Sequence, residues 1–137
     1  MKVLWTVNLI PAAVSVKLGK KAEVLGGWVE SMAAQLSKSK DISLGIICKC
    51  EEQLSFCENI DGVTYFSLYY TSSTPLDELE TRCAEIISEF KPDIINIEGT
   101  EFLHAKAIQS AAKKSGIPAV VSLQGILNGQ YAYQCGQ

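Results

Sequence analysis

Pro92-Asp-Ile-Ile-Asn-Ile-Glu-Gly99 returns, position for position, as Pro118-Ala-Val-Val-Ser-Leu-Gln-Gly125, 26 residues further on. Each copy is a proline, a short β-branched apolar run, one acid or amide, and a glycine. The run is too short for a helix and suits a strand covered on both faces. The separation is that of one strand plus one helical crossover, which predicts neighbouring parallel strands. An in-register match would put Glu98 and Gln124 level, each at the carboxyl end of its strand. In open α/β sheets ligands bind at that edge, and a glycine there lets a ligand or backbone come close.

Working outward, Glu101–Ser115 reads as the crossover helix, stopped by Gly116 and Pro118. Upstream, Leu76, Leu79, Cys83, Ile86, Ile87 and Phe90 recur at helical spacing, with Thr74 as cap, Pro75 in the first turn and Asp77 as a capping-box acid. Lys91-Pro92 ends that helix. Val63–Tyr69 and Ile42–Cys48 read as strands, and a short extra strand is expected around Leu54–Cys57. Lys2–Asn8 reads as a buried first strand, followed by a long loop from Leu9 to Leu25. Gly26-Gly27 then opens a helix whose apolar positions are Trp28, Val29, Met32, Ala33 and Leu36. Lys2 and the apolar stretch to Val16 faintly resemble a secretion signal, but Thr6, Asn8 and Pro11 interrupt it and three lysines follow, so a strand and a cytoplasmic location are expected.

The pattern is α/β: a Rossmann-like, doubly wound parallel sheet of about five strands in three α/β/α layers. Five strands cannot close a barrel. Numbering them along the chain, the expected order is 3-2-1-4-5, with the site beside strand one, where the winding reverses.

The 137 residues amount to one domain, 1–137, with 47% hydrophobic and 20% charged residues, ample for one core. A net charge of −3 and a single arginine, Arg82, argue against a nucleic-acid binder. Residues 1–40 hold six lysines against two acids, while 41–101 hold thirteen acids against three cations. Such runs are ordinarily solvated surface. The five cysteines are odd in number and sit in apolar patterns, and Cys48-x-Cys50 with Cys57 lacks knuckle spacing and a fourth ligand. Core thiols and no metal are expected.

Two glycines at a helix start allow backbone amides to approach an anion such as a diphosphate, and Lys17, Lys20 and Lys21 precede them. A tight turn explains the same pair equally well. Neither a Walker loop nor GxGxxG is present, and GxSxG is absent. His104, the only histidine, follows Glu98-Gly99-Thr100-Glu101 in the first turn of its helix and is a candidate ligand contact. Glu98 and Glu101 are candidate acids, bases or hydroxyl acceptors.

The diglycine-tryptophan after a long first loop, PDIINIEGTE leading into His104, and PAVVSLQG followed by Ile126-Leu127-Asn128-Gly129 together resemble the N-terminal half of GT-B glycosyltransferases. The likeness is to the retaining, family-four type of bacterial surface-polysaccharide synthesis and runs over the whole chain. It implies an acceptor-side domain, with Gly26 and Gly27 facing the donor diphosphate and Trp28 behind them. Glu98, Gly99, Thr100, Glu101, His104, Gln124 and Gly125 would rim the cleft. Many members carry His-x-His where this chain has Asn96-x-Glu98, so an imidazole near the sugar would have to come from His104.

The same resemblance implies a nucleotide-sugar donor, a glycan or lipid-linked acceptor, no separate cofactor, and a second, nucleotide-holding domain in cis that residues 1–137 do not contain. Without it the fragment is expected to be inactive and to supply no catalytic residue of its own. It also leaves room for peripheral association of the full-length protein with the inner face of the cell membrane. The alternative is a stand-alone flavodoxin-like binding or interaction module. Asn8-Leu9-Ile10 lacks a receiver's acids and Pro11-Ala12-Ala13 lacks a flavodoxin's hydroxyl-rich loop.

Overall fold

A computed structural model describes residues 1–21 and 27–123. Six strands form one sheet: β1 (Lys2–Val7), β2 (Ser43–Cys50), β3 (Cys57–Ile60), β4 (Val63–Tyr69), β5 (Ile94–Glu98) and β6 (Ala119–Ser122). The spatial order is β3-β4-β2-β1-β5-β6. All neighbours are parallel except β3 with β4. The five parallel strands thus take the expected order.

The sixth strand is the hairpin partner. β3 starts at Cys57, later than expected, and turns back through Asp61 (φ 50) and Gly62 (φ 86). Two positive-φ residues match the twist of a two-residue hairpin, which favours Asp-Gly.

Four helices flank the sheet: α1 (Ala12–Lys17), α2 (Gly27–Leu36), α3 (Leu76–Phe90) and α4 (Leu103–Ser115). Between α1, α2 and the sheet lie Trp5, Val7, Val14, Val29, Ile46 and Cys48 among others. On the opposite face Leu4, Ile47, Phe66, Ile95 and Ile97 pack against Leu79, Cys83 and Ile108 of α3 and α4. Successive strand residues alternate between the two clusters, as strand geometry requires. Gly45 stays small because a Cβ there would come within 2.9 Å of the Phe90 ring.

Several expectations need correction. The loop expected after Asn8 contains α1, whose single turn begins at the Pro11 carbonyl accepting the amides of Val14 and Ser15. Six residues with one buried aliphatic are too few for a periodic signal. In α2 only Val29 and Ala33 are buried, while Trp28 (39%) and Met32 (48%) are exposed. Trp28 and Met32 form their own i, i+4 pair, about 100° around the helix from the buried seam.

Thr74 does not cap α3. Its hydroxyl accepts the amide of Thr71 (3.0 Å), and extended Pro75 occupies the cap position instead. The Asp77 carboxylate accepts the amide of Glu78 (3.0 Å). Lys91 ends α3 in the left-handed region at φ 55. Gly116 does the same for α4 at φ 70. α4 starts at Leu103 rather than Glu101, because Phe102 is still extended.

The β5–β6 register runs from Ile95↔Ala119 to Glu98↔Ser122, two residues away from the alignment of the repeat. Ser122 is therefore level with Glu98, not Gln124. A two-residue shift leaves every side chain on its own face, whereas one residue would invert them all. The repeat encodes faces and not the axial offset. Pro118 enters the ladder through its carbonyl, which accepts the Ile95 amide (3.0 Å).

Candidate functional site

The chain leaves β1 toward β2 and leaves β5 toward β6, so the winding reverses between β1 and β5. Two loops diverge from that point: residues 8–11 lead to α1, and residues 99–102 lead to α4. The crevice between diverging loops at the carboxyl ends of the strands is where such sheets bind ligands.

On the α1/α2 side the crevice wall is a hydrogen-bonded row. The Ser122 hydroxyl donates to Asn96 Oδ1 (2.9 Å), and Asn96 Nδ2 donates to Glu98 Oε1 (2.5 Å). Asn96 and Glu98 alternate with buried Ile95 and Ile97, which assigns them to one face. Only 6% of Glu98 is exposed. Its carboxylate is fixed by a neighbour that is itself fixed, so little entropy is lost when it accepts a further donor.

Gly99 follows with φ +81, and its amide donates to the Ser122 carbonyl (2.9 Å). A Cβ at Gly99 would lie 2.6 Å from a Glu101 carboxylate oxygen. Glu101 turns back and accepts the amide of Thr100. Thr100 is exposed and Glu101 half-buried, so Gly99–Glu101 forms a turn whose positive φ favours glycine at its head.

On the α3/α4 side stands His104, 1% exposed and therefore beneath the rim rather than on it. Its Nδ1 shares a 2.7 Å hydrogen bond with the Tyr70 hydroxyl, and its ring stacks on Phe102 at 5.6 Å and 11°. Burial, then the charge of Lys49, pushes the imidazole down to about 4, so it is neutral at pH 7. Burial pushes Tyr70 up to about 12. His104 Nε2 and Thr6 Oγ1 are buried with no partner among the described residues.

α2 begins at Gly27, with Glu30 in its first turn accepting the Ala12 amide and tying the two helices together. Lys20 pairs with Glu52 (2.8 Å), and Lys17 and Lys21 are exposed. Gly26, Gln124 and Gly125 lie outside the described residues. Glu98, Gly99, Thr100, Glu101 and His104 thus follow one another from the carboxyl end of β5 into α4, with Glu98 on the α1/α2 side and His104 buried on the α3/α4 side.

Sequence reasoning missed Asn96 as a positioning group, Ser122, and the trio Lys49, Tyr70 and Phe102. Lys49 and Tyr70 stand where strands β2 and β4 finish, a position that could have flagged them. A cavity of about 490 Å³ lies elsewhere, between α3 and residues 53–57. No carboxyl end of β1 or β5 contributes to it.

Cys48, Cys50 and Cys83 are buried, and burial raises all three thiols, Cys83 to about 12. Cys57, expected in the core, is instead exposed on the edge strand, its thiol 3.5 Å from Glu89. Edge strands bury one face at most, and β3 is nearly all exposed. Among the described residues no three His, Cys, Asp or Glu side chains gather as metal ligands, and no helix is long and apolar enough to cross a membrane.

No known family profile matches the chain, and no curated protein matches it in sequence. Solved structures do match in fold. UDP-GlcNAc 2-epimerase from Neisseria meningitidis, bound to UDP-GlcNAc, superimposes over 98% of this chain with TM-score 0.59 and 18% identity. Another UDP-N-acetylglucosamine 2-epimerase covers 97% with TM-score 0.59 and 15% identity. A putative UDP-N-acetylglucosamine 2-epimerase from Listeria monocytogenes covers 88% with TM-score 0.54 and 11% identity. The chain spans only 35%, 34% and 30% of those three proteins, respectively. At such identities the likeness is one of fold, a Rossmann-like α/β sheet flanked by helices.

Proposed function

We propose that residues 1–137 are the N-terminal, acceptor-side half of a two-domain glycosyltransferase that moves a sugar from a nucleotide-sugar donor to a glycan or lipid-linked acceptor. The observation that carries this reading is the buttressed carboxylate of Glu98 at the point where the winding reverses, beside the positive-φ turn at Gly99. A carboxylate oriented by Asn96 and Ser122 suits a sugar hydroxyl, which donates to it and is held against the anomeric carbon. As transfer proceeds, the bond to the donor diphosphate breaks and that group takes the electron pair, while the acceptor oxygen bonds to carbon and its proton passes to an oxygen of the departing diphosphate. The start of α2 at Gly27 offers backbone amides and partial positive charge to the leaving group. Most nucleotide contacts belong to the second domain.

A second reading is half of a nucleotide-sugar epimerase, favoured by the superposition over nearly the whole chain on UDP-GlcNAc 2-epimerases. The products separate the two. Incubating the complete protein with a panel of labelled nucleotide-sugars and acceptors is expected to give label on the acceptor and free nucleotide. A nucleotide-sugar inverted at one sugar carbon, with the acceptor unlabelled, would replace transfer by epimerisation.

A further inference from the structure

Across the strand ends from Glu98, the ammonium group of Lys49 has no ion-pair partner among the described residues. Lys49 is the penultimate residue of β2 and pairs with Leu68, so it projects beyond Val7, which ends β1 level with Cys48. It lies two residues beyond Ile47, on the same side of the strand, and so belongs to the α3/α4 face. Its Nζ is 5.5 Å from the centroid of Tyr70 and 5.3 Å from that of Phe102. Tyr70 follows β4 and Phe102 precedes α4, so the two rings fix the cation at the mouth of the crevice.

Residues 41–101 contain thirteen acids, yet among the described residues none lies within ion-pair distance of Lys49. Glu52 is taken by Lys20 and Glu78 by Arg82, while Glu101 accepts a backbone amide. Lys49 is half-buried, so its charge has lost part of its hydration, and aromatic faces return only part of that. Next to it His104 Nε2 is buried without a partner. A cation desolvated in advance, with its N–H donors unspent, attracts an anion more strongly than an ordinary surface lysine.

We propose that Lys49, clasped by Tyr70 and Phe102, is an anion subsite of this crevice and takes a phosphate or carboxylate carried by the acceptor. Placing that anion on the acceptor rests on the glycosyltransferase reading; anion binding at Lys49 does not. The ligand would then lie between two fixed charges, with a hydroxyl on Glu98 and an anionic group on Lys49. Neutral acceptors would be poorer ligands than acidic or phosphorylated ones.

The test titrates isotope-labelled protein with glucose 1-phosphate, glucuronate and glucose at constant ionic strength, following amide shifts by NMR. Saturable shifts at Lys49, Phe102 and His104 are expected with at least one anion and not with glucose. The anion that saturates at lower concentration tells phosphate from carboxylate. Lys49→Met should weaken that binding at least tenfold and Lys49→Arg should largely keep it. If Lys49→Met disturbs amides throughout the sheet, Lys49→Gln serves in its place, since it removes the charge and keeps a polar end.

Indifference to both anions, equal shifts with glucose, or unchanged affinity on loss of the charge would overturn the subsite. Anion binding that depends on Lys49, in a complete protein that transfers no sugar, would overturn only the glycosyltransferase reading.

Discussion

Taking the chain from pH 7 to pH 4 is expected to cost it about 3 kcal/mol of stability through His104 alone. Burial, chiefly, and Lys49 hold the folded imidazole at about 4, against 6.5 for the free side chain. Below pH 6.5 the unfolded chain takes up a proton that the folded chain refuses until about pH 4. The His104 contribution is therefore complete above pH 6.5, falls through the window between the two values, and levels off below it. Urea unfolding at both pH values, on the wild type and on His104→Gln, isolates the effect. Glutamine is uncharged throughout, and carboxylates such as Glu80, which Lys114 holds below its usual range, cancel between the two proteins. The gap between the two pH profiles should open by about the stated amount, and parallel profiles would show that His104 is not buried neutral.

Glu98→Gln in the complete protein is expected to lower kcat/KM for the acceptor about 100-fold, equivalent to about 3 kcal/mol. Glutamine keeps an oxygen for Asn96 Nδ2, so the row on the sheet survives and folding is little changed. What is lost is the negative charge that accepts the sugar hydroxyl. Ser122→Ala should cost less, about tenfold, because it only frees Asn96 to turn away from Glu98. Initial rates over a range of acceptor concentrations check both. A Glu98→Gln enzyme within twofold of the wild type would remove Glu98 from the site.

The order of the parallel strands was legible because buried strands and their crossovers leave a strong imprint: proline, β-branched run, polar end, glycine. The register of β6 was not. A repeat specifies which side chains face which layer, and both registers satisfy it. Trp28 and Met32 misled because apolar residues at helical spacing count as core only when a surface exists to cover them, and Val29 and Ala33 already meet the sheet.

Glu98, Gly99 and the neighbourhood of His104 could be found from the strand-end rule. The depth of His104 could not, since it depends on Tyr70 arriving from β4, 34 positions away. Lys49 was hidden for the same reason. Its two aromatic neighbours come from separate crossovers, and nothing local in Cys48-Lys49-Cys50 announces them.

On the proposed function, this end of the sheet is one wall of a nucleotide-sugar site whose other wall is a second domain. Catalysis needs the leaving diphosphate and the acceptor held together with water excluded, and a single wall leaves one side of the site open to water. The most direct measurement compares residues 1–137 with the complete protein, using the same nucleotide-sugar and acceptor panel. Transfer by the complete protein, with none from residues 1–137, is the predicted result. Robust transfer by residues 1–137 alone, or none by either with every donor and acceptor, would contradict it.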